Sequence, residues 1–288
     1  MDYASYLQLD KILDAQDLES ARRGAPAHDE MLFVVIHQTY ELWFKQILHE
    51  LKRVQTVFAA KDLPDAQLGQ AVHTLGRVVA ILQHLVKQVD ILETMTPMDF
   101  LEFRDVLRPA SGFQSAQFRM LETVLGLPRG QRLKFDDRPF DALLNPGARA
   151  QIEAAESDQS IFDGVEAWLA RMPFLETRSF DFGDAILAKF QESEERITRM
   201  PGVTPDEAAA QKAAIARQRH GLKAILDDEI YSYVAPEQKW RMKRRAMEAA
   251  LFILLYREMP LLQQPWRILS LLMDIDEQLG LWRTRHMM

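Results

Sequence analysis

The chain of 288 residues, 48% hydrophobic and 27% charged, is long enough to bury a substantial core as one large domain or two small ones. A formal charge of −7 speaks against nucleic acid as a partner, because tracking a phosphate backbone takes an excess of Lys and Arg, and the lack of cysteine excludes disulfides, a thiolate nucleophile and thiolate-bound metal. Apolar runs such as ALFILLY at 250–256 fall far short of the roughly 20 residues that span a bilayer, and residues 1–20 carry no export signal, so no membrane is involved and a cytoplasmic location is expected.

In chain order, Tyr3 and Tyr6 in DYASYLQLD stand near a terminus that would ordinarily fray. Their bulk suggests docking, either on a neighbouring subunit or on this chain's own core. Periodicity near 3.6 then dominates, and no stretch shows the alternation and turn chemistry of a sheet, so an all-α fold is expected, a bundle of long helices. The first long helix runs from about 29 to 58, with acidic residues in its first turn, and the second from about 65 to 93. TPMD at 96–99 places Thr at the cap, Pro at the first helical position and Asp three residues after the cap, which starts a helix carrying FLEFRDVL. That helix stops at RPASG, and FQSAQFRMLETVLG makes the next. Residues 127–147, rich in Pro, Gly and Asp, read as a long loop. Weaker helices fill 148–200, and three more finish the chain at about 205–230, 236–257 and 265–286. One domain over 1–288 is expected, with 148–235 as a small helical insertion. The basic cluster KWRMKRR at 239–245 reads as a solvated helix start.

Two of the seven histidines sit on strongly apolar faces. His37 shares a face with Ile36, Tyr40, Trp43 and Ile47 in MLFVVIHQTYELWF, and His286 follows Trp282, Leu279, Ile275 and Leu272 on one stripe. A single inward histidine is most often a hydrogen-bonded core residue, but two on separate helices weaken that reading. Such a pair can serve a planar iron cofactor, one imidazole as axial ligand and the other over the opposite face, which fits haem. A di-iron carboxylate centre needs Glu-x-x-His pairs that this chain lacks, and LHEL at 48–51 has Arg53 where a zinc-protease helix has its second histidine. Arg104 follows Phe100 and Phe103. It can grip a carboxylate in two parallel hydrogen bonds or pair with Asp105 or Glu102, neither of which has favourable helical spacing. PASG at 109–112 could present N–H groups to an anion, although alone it is a turn.

YASYLQLD, HDEMLFVVIHQTYELWFKQILHEL, LETMTPMDFLEFRDVLRPASGFQSAQFR and LLMDIDEQLGLWRTRH together resemble the tryptophan 2,3-dioxygenases, in order along nearly the whole chain, with about 130–235 only loosely alike. The resemblance implies a homotetramer of helical subunits, each binding one haem b. It implies conversion of L-tryptophan and dioxygen to N-formyl-L-kynurenine, the first step of tryptophan catabolism by the kynurenine pathway. Carried over by position, His286 corresponds to the proximal iron ligand and His37 to the distal histidine that accepts from the indole N–H. Arg104 corresponds to the clamp on the substrate carboxylate, Phe33 and Phe100 to pocket walls, and Ser111 and Gly112 to the loop near substrate and a haem propionate. Tyr3, Tyr6 and Leu7 match a segment that closes an adjacent subunit's pocket. Some members have Tyr where this chain has Phe100. The family also continues beyond His286 into a Gly- and Ser-rich loop whose Thr helps hold the substrate ammonium group, so the sequence is expected to stop short of the family's length. A relative that hydroxylates an aromatic amino acid or indole, or a non-catalytic sensor of haem or tryptophan, would carry the same residues.

Overall fold

In the computed structural model, which describes residues 1–60, 63–132, 141–142, 144–173, 175–177 and 179–287, the longest apolar stripes become the longest helices. Helix α4 (Glu30–Ala59) buries Ile36, Tyr40, Phe44, Ile47, Leu51, Val54 and Phe58 at steps of three and four. Helix α5 (Asp65–Leu92) answers with Leu68, Ala71, Leu75, Val78, Leu82, Leu85 and Val89, and the two pack along their lengths. Three short helices that the sequence pattern does not announce precede them: α1 (Tyr3–Leu7), α2 (Leu9–Leu13) and α3 (Glu19–Arg22). They lack the length for a periodic signal and bury almost nothing themselves.

The N-terminal segment is nonetheless tied down. The buried Glu30 carboxylate accepts the N–H groups of Glu19 and Ser20 at 2.9 and 3.0 Å, and Ala27 N–H donates to Ser20 Oγ at 3.0 Å. Gln38 donates to the Ala15 carbonyl at 3.0 Å and accepts from Gln16 at 2.6 Å. Residues 15–30 are therefore rooted on α4, one position from His37, while α1 stands free of the core.

Helix α6 (Pro97–Arg104) begins with the expected reciprocal cap: Asp99 N–H donates to Thr96 Oγ at 3.3 Å and Thr96 N–H to Asp99 at 2.8 Å. It runs on as a 3-10 turn over 105–107. Ser115 then caps α7 (Ala116–Leu125), which packs on α4. Of the expected 127–147 loop, residues 129–131 form a 3-10 turn and residues 133–140 and 143 lie outside the described residues; α8 (Pro146–Ser157) follows, capped by Asn145.

The chain divides into two compact units, Met1–Ile161 with Ser270–Met288, and Phe162–Leu269, so the expected 148–235 insertion overlaps the second. That unit holds most of α9 (Ile161–Ala170), α10 (Phe182–Arg199), α11 (Pro205–Leu226), α12 (Asp228–Glu237) and α13 (Arg244–Leu255). A two-stranded ladder of Glu176–Thr177 against Phe180–Asp181 is too short to alter the all-α class. Two helices begin or end away from their expected bounds for local reasons. Asp227 leaves the helical region and caps Ile230 at 3.0 Å, splitting 205–237 in two, and Lys239 adopts a positive φ, so the next helix starts at Arg244 rather than 236. In the KWRMKRR cluster Lys239, Arg241 and Lys243 are solvent-exposed, as expected, and several of its charges are also paired. Arg241 lies over the Phe162 ring at 4.1 Å, Lys243 meets the buried Glu166 at 3.1 Å, and Arg244 pairs with Glu248 at 2.9 Å and with Asp228. Among the described residues no helix is long and apolar enough to cross a membrane. The last helix, α14 (Gln263–Met287), gives its residues from Ser270 onward to the first unit.

Candidate functional site

One face of α4 carries Phe33, His37, Tyr40 and Phe44, and the last turns of α14 carry Trp282 and His286. His37 Nδ1 lies 2.7 Å from the Phe33 carbonyl oxygen. A carbonyl only accepts, so the Nδ1–H donates, and a neutral ring then keeps its lone pair on Nε2. That atom faces His286 Nε2 at 3.4 Å. Trp282, one turn before His286, stacks on it at 4.8 Å and 21°. Tyr40 and Phe44 meet the Trp282 ring edge-on at 5.5 and 5.3 Å. The two inward imidazoles, about 250 residues apart in sequence, thus meet inside an aromatic cage.

Burial sets their protonation. Desolvation pushes His286 down to about 4, with the His37 ring beside it adding to the effect. His37 is also lowered by burial, against the opposing Phe33 carbonyl and Glu41 charge. Both are neutral at physiological pH. Unfolded, a histidine titrates near 6.5, so from there downward the unfolded chain binds protons that the folded chain refuses, and stability falls as pH falls. Above that pH both states are neutral and no penalty exists. Without haem, the chain is expected to lose about 3 kcal/mol through His286 between pH 6.5 and 4. Denaturant titration of His286→Gln should show a correspondingly flatter profile over this window, and parallel curves would sink the assignment.

Around this pair, α6 brings Phe100 to 5.7 Å and Phe103 to 5.6 Å from the Phe33 ring. The exposed Arg104 guanidinium extends 5.9 Å from the Phe100 centroid. It pairs with neither Glu102 nor Asp105, whose partner at 3.6 Å is Arg108. Among the described residues it meets no carboxylate. Ser111 N–H donates to Gln114 at 3.1 Å, and a Cβ on Gly112 would lie 3.6 Å from His286 Cε1, so the 111–112 turn passes directly beside the histidine pair. Glu41, one turn after His37, holds the start of α7: it accepts from Ser115 Oγ at 2.5 Å and from Gln117 at 2.8 Å. A cavity of about 420 Å³ opens between Lys11 and Ile12 of α2, His37 and Glu41 of α4, and Gln117 of α7.

The sequence-predicted residues therefore divide in two. His37, His286, Phe33, Phe100, Arg104, Ser111 and Gly112 converge, whereas Tyr3, Tyr6 and Leu7 do not. The latter point to solvent, with Tyr3 75% and Tyr6 70% exposed, which excludes packing on this chain's own core. Sequence reasoning used Trp282 only to mark a stripe and did not single out Glu41 or Gln38; their signals were spacings of four, four and one from the two histidines.

Two imidazoles with facing nitrogens are a donor set for an iron macrocycle. Among the described residues no group of three His, Asp or Glu assembles to hold a bare ion. The buried Tyr40 hydroxyl and Trp282 Nε1 find only each other, without well-formed hydrogen-bond geometry, which leaves polar capacity that an occupied pocket can satisfy. The residues fit haem in kind. At 3.4 Å the rings are in contact, so a flat group entering between them has to part α4 from the end of α14.

A family model described as tryptophan 2,3-dioxygenase matches residues 1–288. The chain is similar to proteins named tryptophan 2,3-dioxygenase from Bdellovibrio bacteriovorus (43% identical over 288 residues, 99% of this chain and 80% of that one) and Dictyostelium discoideum (38% over 290 residues, 99% and 72%). The protein of that name from Xenopus tropicalis is 39% identical over 287 residues, 99% and 71%.

Proposed function

The chain belongs to the tryptophan 2,3-dioxygenase family, and we propose that it opens the indole C2–C3 bond of L-tryptophan with dioxygen, using haem b between His286 and His37. Both oxygen atoms enter the product, N-formyl-L-kynurenine, one at each of the two carbons that part. The observation that carries this reading is the tautomer of His37: the Phe33 carbonyl holds the proton on Nδ1 and leaves Nε2 to accept the indole N–H.

Haem, when bound, supplies the redox-active iron at which dioxygen is activated. The chain's own work is ligation, orientation and exclusion of water. His286 would hold the iron through Nε2, which requires the tautomer with its proton on Nδ1. Phe33 and Phe100 wall the indole, and the free Arg104 guanidinium takes the amino-acid carboxylate in two parallel bonds. With His37 fixing one end of the substrate and Arg104 the other, the reacting carbons have one accessible pose. Ser111 and Gly112 close the side next to His286.

The exposed Tyr3, Tyr6 and Leu7 complete the pocket of an adjacent subunit in a homotetramer, which accounts for large apolar side chains held in solvent beside a firmly rooted segment. Tyr6→Ala should then lower kcat/KM by about tenfold with little change in the stability of the single subunit, since the side chain is 70% exposed there. Unchanged turnover would sink the shared site.

The direct test is absorbance of the haem-loaded, reduced chain in air after adding L-tryptophan, with the product weighed after labelled dioxygen. A growing near-ultraviolet N-formylkynurenine band and two labelled oxygens are expected. A single incorporated oxygen would replace the reading with hydroxylation, and haem binding without product would replace it with sensing.

A further inference from the structure

Arg283 and Arg285 flank Thr284 just before His286, and both meet carboxylates on other helices, Arg285 through hydrogen bonds and Arg283 through a longer charge contact. Arg285 donates to the Val86 carbonyl at 3.0 Å, to Asp90 at 2.7 Å and to both oxygens of Glu93 at 2.9 Å, all at the C-terminal end of α5, where the helix dipole favours a cation. Arg283 lies 3.5 Å from the buried Glu122 carboxylate of α7, a charge contact without a formed hydrogen bond, and Arg119 holds the other oxygen of that carboxylate at 2.9 Å. Successive helical residues turn by about 100°, so Trp282 and His286 share one face, and Arg283 and Arg285 lie about 80° to either side of its centre. Both arginines thus bracket the face that presents the imidazole, and they pull on different helices.

We infer that Arg283 and Arg285 are positioning residues that fix the rotation of the last turns of α14 and so aim His286 Nε2 at the iron. This rests on the reading of His286 as iron ligand. The stacked Trp282 alone restrains the ring but moves with the same helix, so it cannot set the helix's own rotation. The ties do, because their anchors lie on α5 and α7. An exposed ion pair adds little to global stability, and Asp90 and Glu93 are mostly exposed, so losing Arg285 alters the aim of the helix more than the fold.

The test uses the full chain as Arg285→Met and, from the other side of the tie, as the double variant Asp90→Asn, Glu93→Gln, which leaves α14 untouched. In both, haem should pass to excess apomyoglobin about tenfold faster, and the ferrous spectrum should show a second, non-histidine-ligated species. Amides 282–286 of the haem-free chain should exchange about tenfold faster, with KM for tryptophan moving by less than about twofold. Wild-type haem transfer and ligation in Arg285→Met overturns the inference, and so does a change in Arg285→Met that the α5 variant fails to reproduce. His286→Ala run in parallel separates the premise: if histidine ligation persists there, the ligand assignment falls and the tie with it, whereas loss of ligation beside unaffected tie variants overturns the tie alone.

Discussion

His286→Ala is expected to lose histidine ligation of the iron and, with it, more than about 100-fold in haem affinity and essentially all turnover, since even partners that merely support a ligand are worth about 10- to 100-fold. The side chain is half-buried and stacked on Trp282, so truncation leaves a void of imidazole shape beside Gly112. That void makes the experiment decisive. Imidazole added to the variant should restore a five-coordinate histidine-like ferrous spectrum and part of the turnover, which a misfolded chain could not do. His37→Ala is the partner experiment. His37 also holds a lone pair on Nε2, so geometry alone leaves two candidate ligands 3.4 Å apart. Retained histidine ligation is expected in His37→Ala, with the loss falling on turnover. The reverse pattern, ligation lost with His37 and kept without His286, would exchange the two roles.

Much of this site is legible in the amino-acid sequence because its information is local. The period that puts His37 on the buried face of α4 is the same period that puts Ile36, Tyr40 and Phe44 there, and the Thr96–Asp99 cap fixes where α6 begins and so where Phe100 and Arg104 fall. What the residue pattern hides is whatever depends on long-range pairing. Nothing in WRTRH says that its two arginines find α5 and α7, because Asp90, Glu93 and Glu122 stand about 160 to 195 residues upstream. Spacing does favour Arg108, three residues on, over the adjacent Arg104 as the partner of Asp105, and the two are 3.6 Å apart. The N-terminal helices escape notice because four or five residues cannot show a period, and their anchoring through Glu30 and Gln38 is made of single polar contacts.

The freedom of Arg104 gives the second large effect. Arg104→Ala removes an exposed guanidinium that meets no carboxylate among the described residues, so the stability of the folded chain should change by no more than a surface substitution does, about 0.5 kcal/mol. Substrate binding is another matter. A carboxylate drawn into the pocket without its fork loses two charge-assisted hydrogen bonds, and truncating one member of such a pair costs about 2–5 kcal/mol, a fall in kcat/KM of about 30-fold to several thousandfold. Arg104→Lys keeps the charge but not the planar fork, so it should recover only part of the loss. Tryptamine, which has the indole but no carboxylate, turns this into a cycle. The wild-type chain should prefer tryptophan strongly, and Arg104→Ala should treat the two amines nearly alike, because the group that tells them apart is gone. If the variant slows both substrates by the same factor, Arg104 acts on something other than the carboxylate, and the carboxylate clamp has to be sought elsewhere around the pocket.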